Sequence, residues 1–196
     1  LEWAHDLYVF ELLESYIPTT LGEHIISAKF TGNNYHDSNS SVILYVTKAK
    51  SHLSIDKITT VCFSNPSNFA VNVISGLKGV NEGNVKYYIN NQLIGTSEVI
   101  NGLSNLSYTS DSAGLFNLEV VFEERDNYTA SIISTTFNVT KMPTTLTGES
   151  VVFDEESSKT FTIELKDNNN RGISGQTVKI EAVKSSGESK TFTGIS

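Results

Sequence analysis

The sequence predicts an all-β chain built of two-layer sandwich domains. Three observations carry that prediction. Charged residues are few while Ser, Thr, Asn and Gly abound, short segments alternate apolar and polar residues, and the whole pattern returns after about 92 residues.

With 38% hydrophobic and 10% aromatic residues among 196, the chain has enough apolar material for folded cores. Only 18% is charged, unlike the Glu/Lys/Ala/Leu mixture of helical proteins. The net charge of −8 comes from 14 basic and 22 acidic residues with no long run of either sign. That leaves no electrostatic footprint for a phosphate backbone, so no nucleic-acid partner is expected. Anionic lipid surfaces are disfavoured for the same reason, and no apolar run approaches the roughly 20 residues that span a bilayer, so no membrane insertion is expected in this segment. One cysteine, Cys62, permits no intrachain disulfide, and stability has to come from packed sheets. Glu2 and Asp6 stand where an export signal would be basic, and the segment reads as an internal piece of a longer chain.

The repeat is explicit in the residues. Ser15-Tyr16, Gly22, Phe30, Tyr35 and Val46-Thr47-Lys48 return as Ser107-Tyr108, Gly114, Phe122, Tyr128 and Val139-Thr140-Lys141, at an offset of 92 that becomes 93 after one insertion. Leu53, Phe69, Val85 and Tyr87 likewise find Leu146, Phe161, Val178 and Ile180. Such a unit is too long for a solenoid turn and close to the roughly 100 residues of a seven-stranded immunoglobulin-like sandwich. The expected organisation is therefore tandem immunoglobulin-like β-sandwich domains, one complete and two partial. Residues 1–48 supply the later strands of one, 49–141 are complete, and 142–196 supply the early strands of another.

In the complete unit, strands are expected at Ile58–Phe63, Phe69–Ile74, Asn84–Ile89, Gln92–Thr96, Asn105–Tyr108, Leu115–Phe122 and Ser131–Val139. Phe69, Val71 and Val73 alternate with Ala70, Asn72 and Ile74, and Phe116, Leu118, Val120 and Phe122 form a second inward row. Asn90-Asn91 fits a two-residue hairpin, because Asn tolerates the positive φ that such a turn demands. Further loops are marked by Asn33-Asn34, Asp111–Gly114 and Asp167–Asn170. A weak helical pattern from Tyr8 to Tyr16 is overruled by the repeat.

The run from Glu82 to Thr96, with Gly83 before a strand and the Asn90-Asn91 hairpin, followed by Ala113-Gly114 and Asp126-Asn127-Tyr128, resembles the bacterial and archaeal Ig-like (Big) repeat family of cell-surface proteins. Gly22 through Thr31-Gly32-Asn33-Asn34-Tyr35 fits the same pattern, and Leu165 through Val178 is similar to the turn-rich opening half of such a domain. The Asn-rich style, with linkers such as Lys48-Ala49-Lys50 and Lys141-Met142-Pro143, is similar to adhesin-like proteins of methanogenic archaea. The resemblance implies an extracellular stalk or adhesive array on the cell surface, with no enzymatic residues to carry over.

Residues able to do chemistry do not assemble in the sequence. His5, His24, His36 and His52 follow no metal-ligand spacing. Asp154-Glu155-Glu156 and Asp167–Asn170 offer oxygens to Ca²⁺, yet neither follows the twelve-residue calcium loop, and solvated turns are expected there and at Glu123–Asp126. Cys62 is read as a small buried hydrophobe with no histidine arranged to activate it, and no nucleophile or phosphate motif occurs, so no enzyme is expected. Sequons at Asn39, Asn105, Asn127 and Asn138 are acceptor sites for glycans, although 18 Asn and 45 Ser or Thr give about four by chance. Tyr35 and Tyr128 recur at one loop position as candidate ligand-contacting aromatics, and packing anchors explain the recurrence better than sugar platforms.

Two functions compete. The first is a non-catalytic spacer or stalk whose partner is a protein or glycan on a host or neighbouring cell. The alternative is a carbohydrate-binding module of a secreted polysaccharide-active protein, weakened by Trp3 being the only tryptophan. Because the terminal halves are complementary, they are expected to join, since an uncovered half-sandwich exposes apolar surface and unpaired edges. The join is either self-association between molecules, head to tail or reciprocal, or a fold-back within one molecule along a middle domain of roughly 30 to 40 Å, which strains the short linkers.

Overall fold

The computed structural model describes residues 16–152, 154, 158 and 160–196. Trp3, His5, Ser15, Glu155 and Glu156, with nearly all of the Tyr8–Tyr16 pattern, lie outside the described residues. Among the described residues the chain is all-β, with fifteen strands.

The middle of the chain is a two-sheet sandwich. One sheet contains β3 (His52–Ile55), β5 (Ser67–Ser75), β6 (Lys78–Gly79) and β9 (Leu103–Tyr108), with β5 at its centre. The other runs in the order β4 (Val61–Cys62), β11 (Ser131–Thr140), β10 (Gly114–Phe122), β7 (Asn84–Ile89), β8 (Gln92–Glu98). All neighbours are antiparallel except β4, which lies parallel to β11. The alternating rows meet between the sheets. Phe69, Val71 and Val73 of β5 face Val85 and Tyr87 of β7 and Leu118, Val120 and Phe122 of β10, all at or near zero exposure. Phe69 fixes the two layers, its ring 5.1 Å from Phe137 edge-on and 6.4 Å from Tyr87.

Local chemistry explains the turns. Asn90 and Asn91 adopt φ of 48° and 68° to close the β7–β8 hairpin, and the register slips between Tyr87 and Tyr88 to accommodate a bulge opposite.

Three expectations need correction. The segment Ile58–Phe63 pairs only at Val61–Cys62, because the chain is crossing between sheets there; β3, which precedes the crossing, was not anticipated, nor was the two-residue β6. Cys62 is half-buried rather than buried, since its short strand sits at the edge of the second sheet.

Outside the sandwich lie three two-stranded units. Among the described residues, β1 (Gly22–Phe30) pairs only with β2 (Ser38–Val46), β12 (Thr144–Gly148) with β13 (Ile163–Asp167), and β14 (Thr177–Val183) with β15 (Ser189–Ile195). Two of these registers reproduce those of the middle sandwich, whereas β14–β15 closes a longer loop than β7–β8 and does not keep the shift on its second strand. Gly22↔Val46 through Phe30↔Ser38 in the first hairpin matches Gly114↔Val139 through Phe122↔Ser131, shifted by 92 residues on one strand and 93 on the other. Thr145↔Lys166 through Gly148↔Ile163 matches His52↔Ile74 through Ile55↔Val71 with the same two shifts. What differs is burial: among the described residues, every fully buried one lies between Ser51 and Val139.

Candidate functional site

Tyr128 packs half-buried against the edge of the core in the loop between β10 and β11. Backbone bonds hold that loop to the incoming linker: the Ala49 N–H donates to the Asn127 carbonyl (2.8 Å) and the Thr129 N–H to the Ala49 carbonyl (3.0 Å). Its counterpart Tyr35 has nothing comparable beneath it and is 77% exposed. The two sequence-equivalent tyrosines therefore occupy different environments.

All four sequon asparagines are exposed. Asn105 lies opposite Ala70 on β9, Asn138 opposite Leu115 on β11 and Asn39 opposite Lys29 on β2. Asn127 differs, because its amide donates to Glu82 Oε2 at 3.3 Å.

The charged groups are engaged locally. Glu124 and Glu123 remain open to solvent and pair with Lys48 and Lys86 at 2.5 Å, the first of these tying the loop to the linker. The Glu123 hydrogen bond raises the Lys86 pKa. Exposed to solvent screening, pairs of this kind add little to stability. Arg125 Nε is buried without a partner beside Gly83 and Phe122.

Asp167 organises the loop after β13. Its carboxylate accepts the backbone N–H groups of Asn169 (2.8 Å) and Arg171 (2.9 Å) and the Arg171 Nε–H (3.0 Å). The backbone bond from Arg171, above all, holds its pKa below the usual carboxylate value. The calcium reading thus meets a carboxylate already occupied by its own loop. Asp167 also lines an open cleft of about 850 Å³ with Phe63, Asp111, Lys141, Leu165 and Arg171.

The histidines do not gather. His24 Nε2 lies 2.8 Å from the Thr20 carbonyl and its ring meets Tyr16 edge-on, whereas His36 and His52 are exposed at separate positions. Among the described residues no three His, Cys, Asp or Glu side chains are grouped to hold a metal, and no helix is long and apolar enough to cross a membrane.

The most distinctive surface is apolar. Ile26 and Phe30 of β1 are 45% and 49% exposed, although their counterparts Leu118 and Phe122 are fully buried. Phe161 is 44% exposed where Phe69 is 1%. These open faces follow from the repeat pattern. Leu77, fully exposed in the β5–β6 turn, and Ile100 at 58% are further apolar surface, and nothing in their local sequence distinguished them from core positions. No family model matches the chain, and no curated protein is similar to it in sequence.

Proposed function

We propose that the chain is a non-catalytic segment of a secreted or cell-surface adhesin-like protein, a spacer or stalk of tandem Ig-like repeats. The repeat of strand register carries this reading: a hairpin and a strand pair outside the sandwich copy its β10–β11 and β3–β5 pairings at a shift of 92 and 93 residues. Equal units joined by short linkers are how a rod sets distance, each domain contributing its length and little bending. Lys48–Glu124 and the Ala49 backbone bonds stiffen one such junction. The Big-type repeat family remains the reading of the motif from Gly83 to Tyr128, and a protein or glycan on a neighbouring or host cell is the partner it suggests.

A carbohydrate-binding module is the second reading, favoured by the solvent-facing ring of Tyr35. A glycan array probed with the chain separates the two. Silence, together with a single cooperative unfolding event spanning residues 49–141 in force spectroscopy, is the spacer outcome. Micromolar binding lost in Tyr35→Ala would replace it with the module.

A further inference from the structure

We propose that Asn101–Gly102 is a modification site that the fold holds shut: the asparagine converts to aspartate and isoaspartate only when the turn between β8 and β9 opens. Of the 18 asparagines in the chain, Asn101 alone precedes a glycine. Glycine has no side chain to shield its backbone nitrogen, so in a free chain that nitrogen reaches the neighbouring side-chain amide. All the contacts that govern the site lie within residues 73–103 of the middle sandwich.

The chemistry needs water and hydroxide alone. The Gly102 nitrogen loses its proton to hydroxide and attacks Asn101 Cγ. A C–N bond forms, and the side-chain nitrogen takes up a proton and leaves as ammonia. Water then opens the cyclic succinimide. Attack at one carbonyl gives aspartate; attack at the other gives isoaspartate, in which the main chain runs through the former side chain.

The structure leaves the electrophile open and closes off the nucleophile. Asn101 and Gly102 take φ of 52° and 79°, the paired positive values of a type I′ turn, which two bonds between Ile100 and Leu103 close at 2.9 and 3.0 Å. Asn101 is exposed. Gly102 is buried, and its N–H donates to the Val80 carbonyl at 2.7 Å. The peptide unit joining the two has no room to rotate, because a Cβ on Gly79 would meet the Asn101 carbonyl oxygen at 2.9 Å. On either side, the Asn101 N–H donates to Asn81 Oδ1 at 2.9 Å and the Gly102 carbonyl accepts the Val73 N–H at 2.8 Å. Hydroxide reaches the nitrogen only when these bonds break, so opening of the turn sets the rate. Isoaspartate adds a carbon to the main chain, and the lengthened turn cannot keep Gly102 on both Val80 and Val73 beside Gly79. Conversion is therefore a one-way record of opening that weakens the sandwich bearing it.

Incubation of the intact chain at mildly alkaline pH, with and without denaturing urea, tests this when the peptide holding Asn101 is followed by mass spectrometry. In urea, Asn101 should convert ahead of every other asparagine. Without urea its conversion should be roughly a hundredfold slower or more, because a turn with a buried glycine opens rarely. Asn81→Ala removes the acceptor of the Asn101 N–H and keeps both reacting groups. It should speed conversion of the folded chain roughly threefold, as one lost hydrogen bond does, and change nothing in urea. Chain carrying isoaspartate, returned from urea, should melt below the unconverted chain. Equal rates with and without urea, a folded rate indifferent to Asn81→Ala, another asparagine leading in urea, or unchanged melting after conversion overturns the proposal.

Discussion

Tyr87 is a polar residue at the centre of an apolar core, and one bond decides whether that is tolerable. Its hydroxyl donates to Ser104 Oγ at 3.0 Å, and Ser104 in turn reaches the Ser97 carbonyl at 3.3 Å. Burial raises the phenol pKa above its ordinary value near 10, and the Ser104 bond offsets part of that rise. With the folded value above the unfolded one, the contribution to stability is complete below pH 10 and disappears as pH climbs through the folded value. Denaturant unfolding followed from pH 8 to 12 should show an alkaline loss of stability that flattens in Tyr87→Phe. The same variant should cost about 1 kcal/mol at neutral pH, the usual net worth of a buried hydrogen bond. An unchanged alkaline limb would contradict this account.

Asp167 behaves in the opposite sense. Its depressed pKa means a contribution present above the unfolded value near 3.8 and lost as pH falls through the lower folded value. The backbone N–H of Arg171 is the largest cause, ahead of the guanidinium. Arg171→Ala should therefore leave most of the depression in place when the carboxyl carbon is titrated by NMR. A return to the ordinary carboxylate value in that variant would show the side chain, not the backbone, to be in control.

Among the elements, the strands with strict period-two rows were legible because burial on one face writes that period directly: Asn84–Ile89 was found to the residue, and β5 and β10 to within two. β3 and β6 were not. His52–Ile55 is four residues with a histidine at its edge, and Lys78–Gly79 owes its pairing to a backbone contact that leaves no side-chain signature. That contact is where Gly79 and Gly102 interlock. Gly102 has φ of 79°, a Cβ there would sit 2.6 Å from the Gly79 Cα, and its carbonyl accepts the Val73 N–H at 2.8 Å. Gly102→Ala combines a left-handed backbone with a clash against backbone that cannot rotate away, and should cost about 2 kcal/mol or more. Gly76→Ala, also at positive φ but in open space, isolates the conformational part and should cost about 1 kcal/mol. Equal losses on chemical denaturation would show that the close approach adds nothing.

At the scale of the molecule, folding strength is concentrated in one place. Among the described residues the core cluster lies wholly within the middle sandwich, while β1–β2 and β12–β13 carry its register with no fully buried residue. The sequence shows its residue repeat at 92 and 93 positions because a repeat is written in residue order. It could not say how Tyr35 and Tyr128 would differ, since the cover that buries one depends on strands distant in the chain. Stability by region follows from burial, because amides open locally where few apolar contacts oppose it. Hydrogen exchange on a dilute sample should find β5, β7, β10 and β11 exchanging only through global unfolding of the sandwich, and β1, β2, β14 and β15 exchanging orders of magnitude faster. Protection of β1 matching that of β10 would show that burial does not set the order of opening.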